Sequence, residues 1–315
     1  MTAKAVIAGL NGETRLNVRN ALKEVGISNF SYANSTSEMI SSLKIGESDI
    51  SVFDVDFDEG KAIKALKSLR LDQLGKSFNP YVTVICTSWT HDTKTVQKAI
   101  SAGVDDLLLF PLSMQKLKSR IEHSINERKP FIVTSDYIGP ERRKDPNRES
   151  EIPYFYPPNS LQMSLAGEVL LQSDLEQAIE QARSNISVEH LKREAFQIAF
   201  LARVATEDFM NSGPSPSVAE QLRKMNQILL DLERRNKELN GPDISELANS
   251  LRSTLENCHQ VQSEKSNSIE ETVRMLRLIE PISRGIAVLL GHSGGEGALI
   301  HEIGSSVATF RSRQR

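Results

Sequence analysis

Six histidines, two cysteines and one basic cluster are the side chains of this chain whose types could bind a metal, attack a substrate or hold a phosphate. His292 and His301 flank Gly294, Gly295, Glu296 and Gly297, with Glu302 next in line, an assortment that could be read as a metal site. Its spacing matches no compact helical ligand motif such as HExxH, and a glycine-rich turn between helices with exposed histidines is the simpler reading. The stretch also lacks the Gly-Lys-Ser/Thr ending of a phosphate-cradling loop. Cys86 and Cys258 stand far apart with no CxxC spacing, which suits two reduced thiols better than a staple or a zinc site. Arg142, Arg143, Lys144 and Arg148 could touch phosphates, but Glu141, Asp145, Glu149 and Glu151 balance them. No Ser-His-Asp order, paired-carboxylate motif or nucleotide fingerprint stands out, so an enzyme is not expected and no metal is assigned.

The elements that must position these groups change character twice. The 315 residues leave room for about two domains, and a composition of 39% hydrophobic and 25% charged residues excludes a collagenous, wholly disordered or disulfide-framework chain. Up to about residue 128, apolar runs alternate with helical periods. Ala5-Val6-Ile7-Ala8, Asp49-Ile50-Ser51-Val52-Phe53, Tyr81-Val82-Thr83-Val84-Ile85-Cys86 and Leu107-Leu108-Leu109 read as strands. The first helix, over 13–25, is expected to bury Leu16, Ala21, Leu22 and Val25. This alternation predicts a doubly wound α/β domain with a parallel sheet covered on both faces. Residues 129–160, rich in proline, charge and tyrosine, read as a polar linker, docked at most through Tyr137, Tyr154 and Tyr156.

Residues 161–315 read as an all-α bundle of about five or six helices. Its cleanest pattern is Val218, Leu222, Met225, Leu229, Leu232, Asn236 and Leu239, a heptad seam with one polar residue that could fix register. Such spacing serves either a coiled coil, and so a homodimer, or an ordinary bundle helix. Pro281 should kink or end its helix. No apolar run reaches the roughly 18 residues of a membrane helix, and the first residues show no secretory signal, so a cytoplasmic protein without membrane contact is expected.

Several motifs in the first 128 residues carry a resemblance. Asp49-Ile50-Ser51-Val52-Phe53-Asp54, then Thr87-Ser88, then Ala102-Gly103-Val104-Asp105-Asp106 ending at Pro111, occur in the order found in receiver domains of two-component response regulators. Residues 4–128 resemble that family. The resemblance implies a flavodoxin-like five-stranded fold with its site at the carboxyl ends of the strands, Asp54 as phosphoacceptor, Thr87 as the switch hydroxyl and Pro111 as the candidate for a cis bond. It also implies association through residues 90–100 and 113–124.

The departures remove most of the family's chemistry. The two acidic positions that hold Mg²⁺ are Gly9 and Leu10, and Phe110 stands in place of the lysine that pairs with the phosphoryl group. The loop after Asp54 is about two residues short. Mg²⁺ wants oxygen ligands, and phosphoryl transfer depends on that charge. Asp56, Asp58 or Glu13 could substitute only by gathering at one rim. The expectation is a pseudo-receiver with no cofactor, Mg²⁺ entering only if Asp54 is phosphorylated. His190-Leu191-Lys192-Arg193 resembles a histidine phosphotransfer motif imperfectly, and a solvent-facing histidine is the simpler reading.

The function that follows is an atypical response regulator acting through protein–protein contact of its helical domain, with a histidine kinase or another regulator as partner. Two alternatives stay open: a phosphorylation-responsive regulator using Asp54, and a nucleic-acid-binding regulator. Seventeen basic against 21 acidic residues beyond position 160 argue against the second.

Overall fold

The computed structural model describes residues 2–142, 153–167, 171–263, 269–292 and 294–313, the side chains of 259–263 excepted. The chain divides into two compact units, Met1–Ser184 and Asn185–Arg315.

The first unit is built on a parallel sheet of β1 (Lys4–Ala8), β2 (Asn29–Ala33), β3 (Ile50–Asp54), β4 (Thr83–Ser88) and β5 (Asp106–Leu109), in the order 2-1-3-4-5. That order is the flavodoxin-like doubly wound arrangement. The helices α1 (Gly12–Glu24), α2 (Thr36–Ser41), α3 (Lys61–Arg70), α4 (Thr93–Ser101) and α5 (Met114–Asn126) alternate with the strands. They leave an apolar core on each face of the sheet, one containing Val18, Leu22 and Ile121, the other Phe53, Leu66 and Val84. Side chains of Asn11, Ser35, Asp92 and Ser113 cap four of these helices, each accepting from a backbone N–H three residues on. β2 escaped the sequence reading because it is an edge strand with only Ala33 buried. In α1 the buried residues are Thr14, Val18, Ala21 and Leu22, whereas Leu16 is half exposed, one step off the expected stripe.

The segment read as a linker is largely folded onto this unit. β6 (Phe131–Val133) and β7 (Ile138–Pro140) form an antiparallel hairpin in which all six residues are buried. Phe155 adds a bridge to Phe131, with reciprocal backbone hydrogen bonds of 2.7 and 2.9 Å. The anchor is Phe131, with Arg70 and Arg128 guanidinium carbons 5.1 and 5.0 Å from its ring centroid and Tyr81 edge-on at 6.0 Å. Gly139 and Gly103 let the two backbones meet: a Cβ on Gly139 would lie 2.9 Å from the Gly103 Cα. Of the three tyrosines expected to dock the segment, only Tyr137 is buried, and its hydroxyl donates to the Pro140 carbonyl at 2.7 Å. Arg142 stacks on the Tyr137 ring, whereas Arg143, Lys144 and Arg148 lie outside the described residues.

α6 (Ser160–Leu165) and the start of α7 (Gln172–Ser212) also belong to the first unit rather than to the bundle. Leu161 is fully buried in the α1–α5 core. Arg183 pairs with Asp72 and donates to the Phe78 carbonyl at 2.8 Å. Asp49, just before β3, accepts from the Lys4 N–H and faces Ser160 and Ser164, its carboxyl raised by burial against those hydrogen bonds. These additions touch Asp49, Tyr81 and Gly103, which precede β3, β4 and β5 at the amino ends of the strands.

The second unit packs the rest of α7 with α8 (Pro216–Glu238), α9 (Ser245–Ser263), α10 (Ile269–Leu289) and α11 (Gly295–Ser312) around one core. The heptad seam is spent inside this core: Val218, Leu222, Met225, Leu229 and Leu232 are buried, with Leu239 packed against them. Asn236 is engaged within its own chain. Its amide donates to the Pro242 carbonyl at 2.9 Å and closes the α8–α9 turn, so tightly that a Cβ on Gly241 would lie 1.9 Å from its oxygen. α10 continues through Pro281 rather than ending there. Ile279 and Ile286 on either side are core residues, and their burial outweighs one lost backbone hydrogen bond.

Candidate functional site at the carboxyl edge of the sheet

β3 and β4 pair in a register that sets Asp54 beside Thr87 at the carboxyl ends of both strands. The Thr87 hydroxyl donates to Asp54 Oδ2 at 3.0 Å, and the Asp56 N–H donates to Oδ1 at 3.0 Å. Burial raises the Asp54 carboxyl above the ordinary carboxylate range; the two hydrogen bonds oppose that rise and the Asp56 charge adds to it. Asp54 and Thr87 therefore stand side by side.

The positions around them are closed. Gly9 ends β1 at φ +68°, and a Cβ there would lie 2.6 Å from three atoms of Phe57. Leu10 is buried in the core. Phe110 is buried too, its ring stacked 5.4 Å from that of Trp89, and its peptide bond to Pro111 is cis. Its N–H donates to Ser88 O and its carbonyl accepts from His91 Nε2, both at 2.9 Å. Phe57 takes its place through the turn Phe57–Gly60, where Asp58, Glu59 and Gly60 all adopt left-handed backbone at φ 51°, 59° and 75°. Two non-glycine residues in that region are costly. Asp58 fixes the turn by accepting from Lys61 Nζ at 2.9 Å and the Thr36 N–H at 3.1 Å, and these bonds hold its carboxyl down to about 2.

Of the three carboxylates named as substitutes, Asp56 is beside Asp54, close enough for its charge to act there, while the other two are not gathered with it. Asp58 is committed to Lys61 and Thr36, and Glu13 is an exposed residue in the first turn of α1. Among the described residues no group of three or more His, Cys, Asp or Glu side chains is gathered for a metal ion. Gly9 and Leu10 offer no side-chain oxygen beside Asp54, so two of the carboxylates a Mg²⁺ site would draw on are missing there. Gly9→Asp is expected to cost about 2–4 kcal/mol, from left-handed strain and the collision with Phe57. Adding Phe57→Ala should recover the collision part. Denaturant unfolding of both variants measures this, and a Gly9→Asp protein as stable as the parent would refute the packing account.

The other candidate residues lie elsewhere. His190 is buried in the bundle rather than facing solvent, so it presents no ring to a phosphoryl donor. His292 is mostly buried, stacked 6.1 Å from Phe196 with Nε2 3.1 Å from Glu302, whereas His301 is exposed. Cys86 and Cys258 are both free and buried, and burial raises both thiols. Phe57 and Trp89 were missed: nothing in their local sequence marks them, and only the crossovers of the fold bring Phe57 to Gly9 and Trp89 to Phe110.

Fold and site together define a doubly wound α/β unit of strand order 2-1-3-4-5 with Asp54 hydrogen-bonded to Thr87 at its carboxyl edge and Phe57 packed against Gly9. No family model matches the sequence, and no curated protein matches it. Among solved structures the chain is similar to a response regulator from Thermotoga maritima (22% identity, 39% of this chain and 96% of that chain, TM-score 0.33). It is also similar to the chemotaxis response regulator CheY4 of Vibrio cholerae (15%, 39% and 98%, TM-score 0.34) and to the phosphorylated cyanobacterial phytochrome response regulator RcpA (12%, 41% and 98%, TM-score 0.35). The fold assignment rests on strand order and register.

Proposed function

We propose that the chain is an atypical response regulator of two-component signalling, in which a pseudo-receiver is joined to a helical output domain that works by binding another protein, independently of ordinary aspartyl phosphorylation. The observation that supports this most is the phenyl ring of Phe57 lying where any side chain at Gly9 would have to be. Asp54 and Thr87 keep their hydrogen bond, but Gly9, Leu10 and Phe110 supply neither the acidic pair nor the lysine that would hold a phosphoryl group and its counterion, and Asp56 is left as the neighbouring carboxylate.

The partner is a histidine kinase or another regulator of the same pathway. The acidic balance of residues 161–315 disfavours nucleic acid. With the heptad seam buried, the exposed apolar side chains of the bundle, among them Leu230 of α8, Leu278, Val288 and Leu289 of α10 and Ile300 of α11, are the ones available to a protein surface. No helix among the described residues is long and apolar enough to cross a membrane.

Titration of the full chain with beryllofluoride and Mg²⁺, followed by NMR at residues 54 and 87, tests the reading. The expected result is no saturable, Mg²⁺-dependent shift. Saturation would favour the phosphorylation-responsive alternative, with Asp54 as acceptor and Mg²⁺ as its cofactor.

A further inference from the structure

Trp89 is the single tryptophan of the chain, and it sits just past the end of β4 with more than half of its surface exposed. Folding normally buries most of such a ring. Here it rests on a fixed support instead: its ring stacks 5.4 Å from that of buried Phe110, with the two planes 25° apart. Phe110 is itself pinned through its backbone, its N–H donating to Ser88 O and its carbonyl accepting from His91 Nε2. The exposed part of the indole is therefore a preset aromatic platform.

The same edge carries negative charge without a counterion of its own. Trp89 follows Thr87 by two residues, which keeps the two Cα atoms within about 7 Å, and the Thr87 hydroxyl holds Asp54. Asp54 is half-buried and accepts from the Asp56 N–H, while the Asp56 side chain is exposed. Two cations of this edge are committed elsewhere. Lys61 Nζ pairs with Asp58 at 2.9 Å and Glu59 at 3.5 Å, and Arg15 donates to the Leu10 carbonyl at 3.0 Å with its guanidinium over Tyr32. Among the described residues no ion pair reaches Asp54 or Asp56.

We propose that this edge is a docking surface for an arginine side chain of a partner protein, whose guanidinium lies on Trp89 and donates to the Asp54 and Asp56 carboxylates. A guanidinium is planar, weakly hydrated and forked, so it stacks on an aromatic ring while its N–H groups reach carboxylates. Lysine offers a compact, strongly hydrated charge that stacks less well. An apolar segment would cover the two carboxylates without pairing them, and an acidic one would be repelled. The partner so brings the positive charge that this edge lacks, and Phe110, standing where the resemblance calls for a lysine, supports the platform that receives it. This extends the proposed function by giving the first unit its own contact with a partner.

Titration of the full chain with N-acetyl-arginine methylamide, followed by NMR at the Trp89 indole N–H, tests the proposal. The titration is run in EDTA, so its outcome does not depend on whether Asp54 accepts Mg²⁺ and a phosphoryl group. A saturable shift is expected, with weaker binding of the matching lysine derivative. Asp56→Asn, at an exposed side chain, should weaken the arginine derivative about two- to fivefold, the worth of one exposed ion pair. Absence of saturation, equal binding of the lysine derivative, or unchanged binding by the variant would overturn the proposal. Should the variant fail to fold, the parent at high salt decides: screening should weaken the arginine derivative, and salt-independent binding overturns the charge pairing. Tighter binding of free L-arginine than of the blocked derivative would make this an amino-acid site and overturn the docking surface.

Discussion

Asp105→Ala is expected to destabilise the first unit by about 3–5 kcal/mol, the range for removing one partner from a buried ion pair. Asp105 accepts from Arg70 Nη2 at 2.9 Å, from Arg128 Nε at 2.7 Å and from the Val84 N–H at 2.8 Å, with all three side chains buried. Arg70 is further held by the Gly103 and Pro80 carbonyls, which satisfy its donors without neutralising its charge. Its burial already lowers the guanidinium to about 10 against the favourable charge of Asp105. Without the carboxylate, two cations remain packed on the Phe131 ring with nothing to balance them. The hairpin should then lose its seat along with the sheet edge. Urea unfolding of the parent and the variant measures the loss, and a shift below about 1 kcal/mol would show that the network is incidental. The Asp-Asp pair read from sequence as a receiver signature thus also anchors residues that follow the receiver.

Leu229→Ala is expected to cost the second unit about 2–5 kcal/mol, the range for a fully buried leucine whose cavity collapses only in part. The prediction separates two uses of the same heptad spacing. A seam reserved for another chain would be exposed in a single copy, and its truncation would change stability by no more than about 0.5 kcal/mol while weakening association. A seam buried in its own bundle gives the reverse. Thermal unfolding at several protein concentrations distinguishes them, because only an interface makes the change concentration-dependent.

The periodic elements with buried stripes were legible: β1, β3, β4 and β5 announce themselves as apolar runs, and α8 as a heptad. β2 was not, because an edge strand presents little apolar surface and reads as loop. The hairpin was hidden for another reason. Its burial depends on a few aromatic contacts, Phe131 above all, with residues 60 or more positions away on the chain in the case of Arg70, and composition averages such contacts into a polar background. Leu16 shows the limit of periodicity itself: Ala21 and Leu22 are buried as expected, but the stripe runs back through Val18 and Thr14 and leaves Leu16 exposed.

At the candidate site, residue types alone established that Gly9, Leu10 and Phe110 cannot ligate a metal or pair with a phosphoryl group, because none carries the oxygen or nitrogen required. They also placed Asp54 and Thr87 by motif order. Whether the gap at Gly9 was an open pocket or a filled one depended on a left-handed turn bringing Phe57 against β1. Whether the α8 seam faced a partner or a core depended on four other helices. The sequence settles what each side chain can do, because chemistry belongs to residue type. Tertiary structure decides what surrounds it, because burial, collision and charge pairing arise between residues far apart in the chain.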